Sequence, residues 1–351
     1  MARFSYCWHV HGGSRGNGVM LKKILLMMSV FALGMESIGA ETAEQISYVP
    51  NIHGVMRARW ELDTEHGDNR FQVRNARVSL DGKIAPWIEY FIQTDFCDAG
   101  VIKILDAYGR FKVVDGMTVQ TGQFRMPFGV ETFRGPQNYI FANRSFMGKQ
   151  IMNYRAVGAK VAYTLPKVPF TLEFGAFNPK SIGNHTPWNR TVAYSAKASY
   201  KVGDVAFSAG YASIKPFDVR ANLLDGAVGW DDGRHWLVGG EYMFKHYVDD
   251  SAADVHSWVG FVDWHMPVKA GIFNRWSVQA RGDGMTDHLT MDGLKIEPAR
   301  ERITIGSTLT YSYKIVHADV RLNYEKYFYH NGYRPSVGDT DRLVAELVIR
   351  F

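Results

Sequence analysis

The 351-residue chain has two cysteines, Cys7 and Cys97, so a disulfide scaffold cannot carry its fold. It has 12 prolines beside 34 glycines and no Gly-X-Y period, which excludes a collagen-like chain. No apolar stretch reaches the roughly 18 to 20 residues that a spanning helix needs, so a bundle of membrane helices is excluded. There is no large charge imbalance either. The 40 basic and 35 acidic residues leave a formal +5. The basic residues are spread along the whole chain instead of clustered on one face, so no nucleic-acid partner is expected. The 12 histidines show no metal-ligand spacing. Ser257 lies near His256 and Asp263, but neighbouring residues on a strand point to opposite faces, so the three do not read as a catalytic set. No enzyme activity, cofactor or metal is expected. What is present is a 46% hydrophobic, 14% aromatic chain, too apolar for disorder. Yet its apolar residues never come in long runs.

The first forty residues stand apart. Met20-Leu21-Lys22-Lys23 opens an apolar run from Ile24 to Leu33, followed by small residues at Ser37, Gly39 and Ala40. A charged start, a short apolar run and a small-residue cleavage site make a secretory signal peptide over 20–40. The cut is expected after Gly39 or Ala40, and residues 1–19 read as an upstream extension from a mis-assigned start. Removing 1–40 leaves 36 basic and 34 acidic residues, a formal +2. Cys97 is then the only cysteine of the mature chain.

From about residue 49 onward the dominant period is two. Ile52, Gly54, Met56, Ala58 and Trp60 alternate with His53, Val55, Arg57 and Arg59. Ile303, Ile305, Ser307 and Leu309 alternate with Thr304, Gly306, Thr308 and Thr310. Leu343, Ala345, Leu347, Ile349 and Phe351 close the chain in the same way. Such alternation marks strands with one apolar and one polar face. Cleanly alternating segments also cover 190–201, 274–283 and 316–325. Weaker ones cover 70–83, 87–97, 103–114, 117–126, 154–165, 168–177, 204–214, 234–247 and 254–265. That makes fifteen candidates. Asp81-Gly82, Asp115-Gly116, Leu165-Pro166-Lys167, Val202-Gly203-Asp204, Met266-Pro267 and Lys314-Ile315 read as turns between them. Longer polar loops are expected at 127–153, 178–190, 215–233, 284–299 and 329–340.

Short turns alternating with long loops indicate a transmembrane antiparallel β-barrel in the outer membrane of a Gram-negative bacterium. A secreted β-sandwich is the rival, but its strands can be about five or six residues long. Here the clean strands run to about ten, enough to cross a bilayer at a tilt. Aromatics also gather near strand ends, as at Tyr324, Tyr327, Phe328 and Tyr329. Both termini of such a barrel lie on one side, so the strand number is even. One missed strand would bring fifteen to about sixteen, a size that leaves an aqueous channel.

The chain also resembles a known family. Phe71 to Ile84, Trp87 to Phe96 with Gln93-Thr94-Asp95-Phe96, Asp106-Ala107-Tyr108, and Gly122-Gln123-Phe124-Arg125-Met126-Pro127-Phe128-Gly129-Val130-Glu131 are similar, in that order, to the phosphate-selective porin O and P family. The closing Phe351 looks like the terminal aromatic signal of outer-membrane barrels. The resemblance is dense over 70–160. It implies a homotrimeric, sixteen-stranded porin for passive diffusion of small hydrophilic solutes, phosphate or similar anions among them. The alternative is a non-conducting structural or surface-adhesive barrel.

Arg and Lys lining a pore favour anions. The candidates are Arg57 and Arg59 on the first strand, Arg74 and Arg77 on the second, Arg110 and Lys112 on the 103–114 strand, and Arg125 before the long loop. Arg134, Arg144 and Lys149 lie in that loop, which is long enough to fold inward. Arg74 and Arg77 differ in parity, so both face the lumen only across a bulge. Asp95, Asp106 and Glu89 are available to pair with these cations. The other expected partners are the lipids of the outer membrane.

Overall fold

A computed structural model describes residues 47–351, apart from 99, 152–153, 180–187, 217–218, 250, 291–292, 294 and 331. The signal peptide and upstream extension expected over 1–40 lie outside the described residues.

The chain order is β1 (Asn51–Asp63), β2 (Asn69–Ala85), β3 (Ile88–Asp98), β4 (Val101–Val114), β5 (Met117–Arg125), β6 (Arg155–Thr164), β7 (Phe170–Phe177), β8 (Ala193–Val202) and β9 (Val205–Ile214). Then follow β10 (Ala221–Asp231), β11 (Trp236–Tyr247), β12 (Val255–Ala270), β13 (Phe273–Met285), the two-residue strands β14 (His288–Leu289) and β15 (Ile296–Glu297), β16 (Arg300–Tyr313), β17 (Val316–Tyr329) and β18 (Arg342–Arg350). Sixteen of these close into one antiparallel barrel, while β14 and β15 form a separate hairpin. Closure matters physically, because a backbone group in lipid has no water to bond and a closed barrel leaves no edge unpaired.

Every strand follows its neighbour, and the seam joins β1 to β18 from Val55↔Arg350 to Asp63↔Arg342. At the seam's end, Gly54 and Phe351 exchange backbone hydrogen bonds of 2.9 and 3.1 Å. The Phe351 ring occupies the space that a Cβ on residue 54 would need, so a larger residue there would have to displace that ring. Both ends of the barrel lie on the rim with the short turns, which span two to five residues. The long connections 126–154, 178–192, 286–299 and 330–341 leave and rejoin the strands at the other rim.

The strand faces are inverted relative to a water-soluble protein. On β1 the apolar Met56 is exposed while Arg57, Arg59, Glu61 and Asp63 are buried. On β16 and β17, Ile303, Ile305, Leu322 and Tyr324 are exposed while Arg302, Thr304, Arg321, Asn323 and Glu325 are buried. The apolar residues form the outer belt and the charged ones the lumen wall, as a bilayer requires.

The structure corrects three local expectations. The stretch 215–233, read as a loop, contains β10, which is the sixteenth barrel strand. Its alternation was hidden because its inward residues include Ala221 and Leu223, which pack into an apolar cluster with Phe128, Met243 and Val255 instead of facing water. Asp81-Gly82 is not a turn but lies inside β2, and the chain reverses at 86–87. Likewise β12 continues through Met266-Pro267 to Ala270, with the ladder irregularity between Pro267 and Ala270 absorbing the proline.

Candidate functional site

The segment 126–154, between β5 and β6, lies inside the barrel and is fastened to the opposite wall by side chains far away in sequence. Arg321 donates to the Tyr139 carbonyl at 2.8 Å, Arg281 to the Asn143 carbonyl at 2.7 Å, and Arg302 to the Arg144 carbonyl at 2.7 Å. The Ala142 amide donates to Asn323 at 2.6 Å and the Phe146 amide to Asp283 at 2.9 Å. Glu241 of β11 accepts from the amides of Val130 at 3.0 Å and Glu131 at 2.7 Å. A turn just before that latch requires Gly129, whose φ is 72°. Met126, Phe128, Phe146, Met147 and Ile151 bury the loop's apolar side against β7 to β13.

The wall behind the loop is a buried ion-pair network. Arg57 pairs with Glu346 at 2.5 Å, and Arg321 reaches the same carboxylate at 2.8 Å. Arg302 joins Asp283 at 2.9 Å and Glu325 at 3.3 Å. Arg59 pairs with Glu61 at 3.0 Å. Each charge there has a partner, which is the condition for holding ions out of bulk water.

Between the loop and the β1–β5 wall opens a cavity of about 740 Å³. Thirteen basic side chains and two carboxylates, Asp98 and Asp339, line it. Seven of the ten cations expected from the sequence meet here: Arg57, Arg59, Arg74, Arg77, Arg125, Arg144 and Lys149. The β-bulge needed between Arg74 and Arg77 is present. Arg57 faces Asn75 while Ala58 faces Val73, so Arg74 is the extra residue. Arg134 lies outside this cavity, on the far side of the loop. Arg110 and Lys112 are not brought to it. Arg110 bonds to Gln120 and lies 3.4 Å from Glu89, and Lys112 pairs with Asp115 at the short-turn rim.

Six lining cations were not singled out from the sequence: Arg70, Lys103, Arg155, Arg300, Arg302 and Arg342. Arg302 sits on the same face as Thr304 and Gly306, so strand parity was an available signal. The others needed the pairing register. Ion pairs of the expected kind occur, with Arg77 to Asp95 at 2.7 Å, Arg155 to Asp106 at 3.1 Å and Arg74 to Asp98 at 3.1 Å. Among the described residues, three lining cations touch no carboxylate. Arg125 bonds the carbonyls of Thr132 and Arg134, Arg144 bonds those of Glu131 and Thr132, and Lys149 opens onto the cavity. Burial pushes the Arg144 guanidinium below the ordinary arginine value. The protein mass around Lys149, followed by the charge of Arg74, likewise lowers its ammonium.

Residues 52–212 match the model of a family described as phosphate-selective porin O and P. Over that stretch the chain is similar to that family. No curated protein matches the porin. Solved structures give the same barrel at low identity. An anion-selective porin from Comamonas acidovorans is 14% identical, with a TM-score of 0.58, covering 86% of this chain and 98% of that one. OmpF of Salmonella typhi, in complex with daunomycin, is 14% identical with a TM-score of 0.61 over 86% and 97%. OmpT of Vibrio cholerae in its trimer form is 12% identical with a TM-score of 0.58 over 86% and 98%. The porin is thus an outer-membrane channel protein. Porins of this family and fold are not enzymes. Ser257 donates to the Gly284 carbonyl at 2.9 Å, while His256 meets the Tyr242 hydroxyl at 2.6 Å, so these two neighbours point to different partners.

Proposed function

We propose that the porin passes small hydrophilic solutes by passive diffusion and prefers anions, with phosphate or a similar oxyanion as the favoured class. The carrying observation is the imbalance in the 740 Å³ cavity, with thirteen basic side chains against two carboxylates. Such a concave, one-signed lining raises the local concentration of counter-ions. Arginine adds the planar fork that meets two phosphate oxygens at once. Candidates for setting the preference are Arg57, Arg59, Arg74, Arg77, Arg125, Arg134, Arg144 and Lys149. Arg110 and Lys112 have weaker support, because their partners hold them outside the cavity. The exposed apolar belt, with Ile303, Ile305, Leu322 and Phe207, suits the lipids of the outer membrane. The trimer form of the Vibrio OmpT neighbour supports a homotrimer here.

Purified protein added to planar bilayers should give stepwise conductance, and added phosphate should reduce the chloride current in a saturable way. A bilayer that stays silent would favour a non-conducting surface barrel. Chloride current indifferent to phosphate would restrict the reading to general diffusion.

A further inference from the structure

The basic cavity has a neighbour. On the other side of the inward loop lies a second space of about 370 Å³, walled by inward residues of β8 to β12 and by Val130, Glu131 and Arg134. A neck of about 20 Å³ lies between them. It shares Tyr139, Asn143 and Arg144 with the outer chamber, and Glu131, Arg134 and Phe261 with the inner one. One water needs roughly 10–15 Å³ measured this way, so this space holds about one water. A hydrated anion does not fit in it with the side chains where they stand.

The neck's polar side chains differ in how tightly they are held. Arg281 is buried, donates to the Asn143 carbonyl at 2.7 Å and to Thr304 at 3.0 Å, and lies 3.2 Å from Asp283. Arg144 is bound to two loop carbonyls. Arg134 is fastened differently. Its guanidinium pairs with Glu131 one turn earlier at 2.5 Å and rests on the Phe261 ring at 4.9 Å. Its side chain faces both the neck and the inner chamber. Glu131 has other support, since it also accepts from Ser145 Oγ at 3.0 Å. The pair can therefore part without leaving the carboxylate unbonded.

We propose that Arg134 is the mobile side chain that opens and closes this neck, and that a passing anion opens it by replacing Glu131 as the guanidinium's partner. The exchange trades one charge-assisted, forked contact for another, so the guanidinium is never bare during the swing. Rotamer changes of accessible side chains take picoseconds to nanoseconds, much faster than single-ion transit needs. This proposal rests on the anion-channel reading.

The test is single-channel recording of the purified full chain and its variants. In R134A the neck merges with the inner chamber. Conductance is expected to rise severalfold, while the anion-to-cation permeability ratio falls roughly fourfold, as expected for one charge removed at about 6 Å in about 0.1 M salt. R134K keeps a mobile cation and should retain the anion preference. E131Q removes the ionic partner and with it one negative charge at the neck, so conductance and anion preference should both rise. Should R134A fail to assemble, R134K and E131Q carry the test. If wild type conducts and these three variants match it in conductance and selectivity, the neck proposal is overturned and the channel reading stands. If wild type itself is silent, both fall.

Discussion

Lys149 offers the cleanest probe of the electrostatic account. It lines the 740 Å³ cavity, and no carboxylate among the described residues pairs with it, so its removal strands no partner. K149Q removes one positive charge at nearly constant length. An anion about 6 Å from that charge gains about 0.7 kcal/mol at the dielectric constant of water. Screening over a Debye length of about 10 Å at about 0.1 M salt reduces this to about 0.4 kcal/mol. A cation at the same place loses as much, so the anion-to-cation balance shifts by about 0.8 kcal/mol, about fourfold. The assay is the zero-current potential of wild type and K149Q across a KCl gradient. The shift should shrink at about 1 M salt, where the Debye length is about 3 Å. It should also shrink in wild type as pH rises, starting below lysine's ordinary 10.5, because the folded protein lowers the Lys149 value and the charge is lost sooner. An unchanged ratio at low salt, or a rise in anion preference, would refute the reasoning.

Three further outcomes are expected. E325A should lower the temperature at which the barrel loses its folded gel mobility, since Glu325 is fully buried among Arg302, Arg342 and Asn143. Removing one member of such a network costs about 3–5 kcal/mol; an unchanged transition would show that the network is not stabilising. E241A should leave the Val130 and Glu131 amides without their acceptor, at about 1–3 kcal/mol each. Noisier current and faster protease cutting within 126–154 are the readouts, and wild-type behaviour in both would count against the latch. His288, in the outer hairpin, is held down to about 3, chiefly by burial, then by Arg300 and Lys245. Below its ordinary value of about 6.5 the unfolded hairpin takes a proton that the folded one refuses. Hydrogen exchange at the Thr290 and Gly293 amides, corrected for intrinsic rates, should therefore accelerate as pH falls from that value towards 3, and H288Q should flatten the dependence.

Much of the barrel was legible because a bilayer imposes a period of two on each strand. Six of its strands could be placed from clean alternation, and nine more from weaker alternation bounded by turn signals. The exception is instructive. β10 turns Leu223 into the lumen, where the inward loop has replaced water with Phe128 and Met243, so its polar face disappears. Turn dipeptides misled where a strand tolerated them: Gly82 lies under the Tyr90 ring inside β2, and Pro267 sits at a ladder irregularity. The charge arrangement was only partly readable. Arg57 and Glu346 are 289 residues apart, and nothing local announces that the seam makes them neighbours. Arg74 and Arg77 were different, because their mismatched parity demanded a bulge that the β1–β2 register contains. Six lining cations went unmarked because they lie on strands whose shared location appears only after closure.

The most direct measurement is the zero-current potential of the wild-type porin in a planar bilayer separating two KCl concentrations. A path through a cavity lined by thirteen cations and two carboxylates predicts stepwise conductance and a potential of the sign that chloride carries. A potential of the sign that potassium carries would contradict the account.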